Sequence, residues 1–106
     1  MERGALEEAV ALFERSVSAN PHFKALELLG ECLVSLGRPR EAVVPLAAAT
    51  TLNKGVRAPA LLAQVFLEMG EIRDAYDLAE LALSRHSGNR LALQIKTLAE
   101  PQLQPE

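Results

Sequence analysis

Leu29–Ala49, LGECLVSLGRPREAVVPLAAA, reads as the end of one helix, a glycine-centred corner and a second helix. The pattern recurs along the chain. Gly37 has counterparts at Gly4 and Gly70, each thirty-three residues away, and Ala42 has counterparts at Ala9 and Ala75. Three further registers keep the same interval: Glu8/Glu41/Asp74, Ser16/Ala49/Ala82 and Lys24/Arg57/Arg90. Five columns in step over three copies indicate a repeat architecture, in which each unit buries its apolar face only by stacking on a neighbour.

Working outward, the spacing predicts six helices. From Ala5 to Ala19, Leu6, Ala9, Val10, Phe13 and Val17 keep helical spacing, with Gly4 before and Asn20-Pro21 after. A second helix, roughly His22 to Leu36, sets Leu26, Leu29, Gly30 and Leu33 on one face, with Cys32 joining it. Gly37 suits the left-handed residue that stops a helix, and Pro39 suits the first position of the next. That third helix runs to about Leu52 and contains Pro45, where a proline interior to a helix costs about 3 kcal/mol and a kink is expected. The fourth covers about Val56 to Met69, with Leu62, Ala63 and Phe66 on its packing face and Pro59 in its first turn. The fifth spans about Ile72 to Arg85, with Ala75, Leu78, Ala79 and Ala82. Ser87 or Asn89 is available to cap the last helix, about Asn89 to Ala99, which Pro101 is expected to stop. The fold class is all-α, without strands.

The composition agrees. Of 106 residues, 49% are apolar, chiefly Leu and Ala, and only 4% are aromatic, a balance that favours helices over strands. A net charge of −3 excludes an overall basic field for nucleic acid or an anionic membrane. The single cysteine, Cys32, rules out an internal disulfide. No apolar run has the length of a membrane span, and the start, MERGALEEA, lacks the apolar core of a signal peptide. A cytoplasmic location is the expectation.

The order of small and large residues resembles the tetratricopeptide repeat. Residues 23–55 carry it with Leu26, Leu29, Gly30, Leu33, Gly37, Ala42, Leu46 and Ala49. Residues 56–88 carry it with Leu62, Ala63, Phe66, Gly70, Ala75, Ala79 and Ala82. Residues 4–21, with Ala9, Phe13, Ser16 and Pro21, resemble the second half of a preceding repeat, and 89–100 a terminal first-type helix. The expectation is a single domain over 1–100, built as a short right-handed solenoid of antiparallel helix pairs, followed by an irregular tail over 101–106. There are departures. The interval is one residue shorter than the family's usual repeat of about 34, and Lys54 and Ser87 stand where the family closes with proline. Pro59 replaces a large residue, and Lys96 takes the small-residue position, so no further helix is expected to pack closely there.

Catalysis finds no support. His22 and His86 both fall in corners, far apart in sequence, and read as surface residues rather than metal ligands. Cys32 lies among apolar neighbours and reads as an inert thiol. Glu7-Glu8, Glu41 and Asp74 are placed where carboxylates favour a helix N-terminus. The chain is expected to be no enzyme and to need no metal or cofactor.

What the resemblance implies is binding of a peptide or protein along the groove lined by the first helix of each pair. The candidate groove residues are Lys24, Glu27, Glu31, Val34, Arg57, Gln64, Leu67 and Arg90. Lys24, Arg57 and Arg90 would form a basic row for a partner with acidic residues. Against this stands the reading in which Lys24 pairs with Glu27 on its own helix and the two arginines are merely solvated. Glu27 and Glu31 occupy the positions where members that clamp a C-terminal carboxylate carry Lys and Asn, so that activity is not expected. The alternative function is assembly, a homodimer formed through an exposed apolar face of the first helix, Leu6, Val10, Phe13 and Val17. The oligomeric state is left as monomer or homodimer.

Overall fold

The computed structural model describes residues 3–103. Within them the chain forms α1 (Arg3–Ala19), α2 (Phe23–Ser35), α3 (Pro39–Leu52), α4 (Arg57–Glu68), α5 (Ile72–Arg85) and α6 (Arg90–Leu103), with no strand among the described residues. The helices gather into two compact units, α1–α3 and α4–α6. In the first, α2 packs against both α1 and α3. In the second, α5 packs against α4 and α6, which also touch each other.

Two corners share one chemistry. Gly37 and Gly70 adopt φ of 75° and 80°, a region that costs an L-residue roughly 1–2 kcal/mol. At each, the glycine N–H and the next N–H turn back onto the helix just completed. Gly37 donates to Val34 O at 3.0 Å and Arg38 to Leu33 O at 2.9 Å; Gly70 donates to Leu67 O at 3.1 Å and Glu71 to Phe66 O at 2.8 Å. This pairing satisfies carbonyls that a helix end would otherwise leave unbonded. Pro39 takes the first position of α3, where its missing N–H is no loss. Of the two candidates for the cap of α6, Asn89 serves: its Oδ1 accepts the N–H of Ala92 at 2.8 Å.

The units are filled differently. In the first, Leu46 is fully buried against α2, and Leu26, Leu29 and Leu33 line the other side. An ideal Cβ on Gly30 would lie 2.5 Å from Cγ and Cδ2 of Leu46, so this helix crossing requires glycine. In the second, Ala60, Ala63, Ala75, Ala79, Ala82, Ala92 and Ile95 form the core, with Phe66, Leu78 and Leu83 packed around it. Alanines at the contact allow the helix backbones to approach closely.

The structure corrects three expectations. In the described residues α1 already includes Arg3, so Gly4 lies within the helix rather than at a corner, and Glu7 and Glu8 sit beyond its first turn. The extent of α3 is as expected, from Pro39 to Leu52 through the buried Pro45. α6 is not stopped by Pro101 but runs to Leu103. A proline so near the end forgoes one donor, and the Gln102 amide donates to Leu98 O at 2.9 Å across the same turn. The irregular tail therefore does not begin at 101; residues 104–106 of it lie outside the described residues. Finally, Leu6 and Val10 are buried, because the apolar face of α1 packs on α2.

Candidate functional site

The first-type helices α2, α4 and α6 carry the residues singled out for binding. Lys24 opens α2, exposed, with its Nζ 3.3 Å from Oε1 of Glu27. Glu27 is buried at 7% exposure, so the local pair holds this carboxylate in place while leaving most of the lysine in solvent. Glu31 and Val34 are half-buried further along α2. Arg57 and Arg90 are the first residues of α4 and α6, and both are exposed. Gln64 is half-buried on α4. Leu67, expected to add an apolar patch to the groove, packs against the core of its own unit.

Within the second unit the geometry of the two arginines follows from the connections. Short corners join α4 to α5 and α5 to α6. Such corners make neighbouring helices antiparallel. α4 and α6 therefore run the same way, in mutual contact, and Arg57 and Arg90 mark the same end of the unit.

The remaining candidates have structural duties. His22 is the N-cap of α2, its Nδ1 accepting the N–H of Lys24 at 3.1 Å. His86 is the exposed C-cap of α5. No cluster of three or more potential metal ligands occurs among the described residues. Cys32 is half-buried; burial, reinforced by the charge of Glu31, pushes its thiol up from the usual range, which lowers the thiolate fraction at neutral pH. On α1, the proposed dimer face is reduced, since Leu6 and Val10 are buried and Phe13 and Val17 half-buried.

Three features escaped the sequence. Arg38 grips Glu41 across the first corner with Nε–Oε2 at 2.7 Å and Nη2–Oε1 at 2.6 Å. Lys96, at the register of Gly30 and Ala63, sends its Nζ to Oε2 of Glu80 at 2.8 Å, tying α6 to α5. A cleft of about 360 Å³ lies between α1 and α2, walled by Leu6, Ala9 and Phe13 on one side and Leu28, Glu31, Cys32 and Ser35 on the other. The register offered a signal for the cleft: Ala9 and Phe13 are the counterparts of Ala42 and Leu46, which lie under a first-type helix.

Residues 2–82 match the family described as anaphase-promoting complex, cyclosome, subunit 3. Comparison with curated proteins returned no match. Among solved structures the chain is similar to the crystal structure of MamA, with a TM-score of 0.89 at 20% identity over 94% of this chain. The chain spans 60% of the length of that protein. At that identity the likeness establishes the fold. No helix among the described residues is long and apolar enough to cross a membrane.

Proposed function

Because the chain belongs to the anaphase-promoting complex, cyclosome, subunit 3 family, whose units are of tetratricopeptide type, we propose that it is a non-catalytic module whose first-type helices bind a peptide or protein segment carrying acidic residues. Protein interaction is the general role of such repeats. The observation that carries the finer reading lies in the second unit. Two exposed arginines head two parallel, touching helices, so their charges fall at one end of one surface. A helix N-terminus carries partial positive charge, which favours an anionic partner at that end. Lys24 heads α2 of the first unit, where part of its charge is engaged by Glu27. No cofactor is required, and a cytoplasmic setting suits a chain whose one cysteine is a free thiol.

The test is a pull-down from a source extract with the wild-type chain beside Arg57→Glu/Arg90→Glu. Both substitutions are on exposed residues, so the fold should be retained, which circular dichroism checks. Bands retained by the wild type and lost by the variant would support the reading. Identical bands with both proteins would reject it.

A further inference from the structure

The first-type helices are entered in different ways. α2 is capped by its own flank, where Nδ1 of His22 accepts the N–H of Lys24 at 3.1 Å. α6 is capped in the same manner, with Oδ1 of Asn89 accepting the N–H of Ala92 at 2.8 Å. α4 is the exception. Its N-cap, Val56, makes no side-chain hydrogen bond, and the residue before it, Gly55, has no side chain to supply one. A bond to this entry comes instead from another helix. Arg85, in the last turn of α5, donates from Nη1 to the carbonyl oxygen of Gly55 at 3.0 Å. A guanidinium donor makes this a charge-assisted bond, stronger than one between neutral groups. The repeat does not require it. One interval earlier the same two registers hold His22 and Leu52, and Leu52 is exposed and has nothing to donate.

Both arginines at this end of the second unit stand close in sequence to that bond. Arg57 follows Gly55 by two residues and opens α4. Arg90 follows Arg85 across one tight corner, in which the Asn89 N–H returns to His86 O at 3.1 Å, and opens α6. We propose that Arg85 is a positioning residue for the acidic partner: through Gly55 it holds the start of α4, and with it Arg57, in a fixed place beside Arg90. The inference rests on the acidic-partner reading of this end of the unit. Its physical basis is the cost of ordering. Charges already set at one spacing meet a partner without the loss of freedom that a loose first turn would incur on binding. The half-buried Arg85 is suited to the task, because its backbone belongs to α5, which packs against both α4 and α6.

Two measurements on the full chain separate positioning from charge. The variant is Arg85→Met, which keeps an unbranched stem on α5 and removes the donor, with circular dichroism confirming the helices. The first measurement is amide exchange by NMR and needs no partner. The Ala60 amide donates to Val56 O at 3.1 Å in the first turn of α4, and the Leu93 amide to Asn89 O at 3.1 Å in the first turn of α6. In the variant, Ala60 should exchange about tenfold faster, as expected when one charge-assisted bond no longer opposes local opening, while Leu93 keeps its rate. The second measurement is the anisotropy of a fluorescein-labelled decapeptide of alternating glutamate and alanine. Arg85→Met should bind it about fivefold to tenfold more weakly than the wild type. Ser84→Lys/Arg85→Met returns the charge to a neighbouring exposed position without the bond, and should bind as weakly as Arg85→Met. The proposal is overturned if Ala60 exchange is unchanged in Arg85→Met, or if that variant binds the peptide as the wild type does. It is also overturned if the double variant recovers wild-type affinity, since charge alone then accounts for the loss. Failure of the underlying reading has a different signature: the wild type does not bind the peptide, or Arg57→Glu/Arg90→Glu binds it equally well, and the positioning role is then rejected with it.

Discussion

The two complete repeats solve one packing problem with opposite choices. In the first, the crossing pairs Gly30 of α2 with Leu46 of α3; in the second, the same registers hold Ala63 of α4 and Ala79 of α5. A large residue against none and two small residues both bring the helices together, and all three side chains present are fully buried. The difference lies in tolerance. The first crossing has no space for even one added methyl, since a Cβ on Gly30 would meet the branch of Leu46 at 2.5 Å. The second shares its contact among many alanines, with the volume made up by Phe66, Leu78 and Leu83 around them. One repeat relies on a single interlock, the other on a distributed one.

Removing the interlock should have the largest effect. Leu46→Ala is expected to destabilise the chain by about 2–5 kcal/mol, the range for a buried leucine whose site relaxes only partly, measured by urea unfolding. Gly30→Ala should come second. Overpacking of this kind costs about 1–3 kcal/mol, offset in part by the roughly 1 kcal/mol that alanine gains over glycine in a helix. The two changes together recreate the Ala/Ala pair of the second repeat. The double variant should therefore be more stable than Leu46→Ala alone, a non-additivity expected only of residues in contact. Simple addition of the two losses would show that the crossing is not an interlock and would remove the contrast between the repeats.

Much of this could be read from the chain because the repeat multiplies local signals. Gly37 and Gly70, Pro39 and Asn89 each act within a turn of their own position, and such effects are visible in sequence. The tetratricopeptide order of small and large residues followed from the same interval and carried the fold. What failed depended on neighbours distant in the chain. Nothing near Pro101 shows that α6 continues to Leu103, and nothing near Leu6 or Val10 shows that α2 covers them. The ion pair of Lys96 is not legible either, because its partner, Glu80, lies on another helix. The exposure of Arg57 and Arg90 agrees with their position at helix starts, whereas the Lys24–Glu27 pair was one of two open readings, and Leu67 faces its own core.

The corners offer the mildest form of the same comparison. Arg38 and Glu41 close a two-bond ion pair at the start of α3, while the matching residues at the start of α5 are Glu71 and Asp74, both acidic. The hydrogen bonds from Arg38 hold the Glu41 carboxyl below its ordinary value. The unfolded chain then binds a proton at Glu41 before the folded chain does, so the stabilisation is present above the ordinary carboxylate value and is lost as pH falls through the lowered one. Both groups are in solvent, which keeps the effect the smallest of the three and sensitive to salt. Arg38→Glu gives the first corner the acidic pair of the second. Its stability should fall below that of the wild type at pH 7, and the gap should narrow as both proteins are titrated below pH ~4, where carboxylates take up protons. A gap that stays constant across that range would mean that Arg38 supports the corner by packing its stem rather than by holding Glu41, and the two corners would then differ in shape, not in charge.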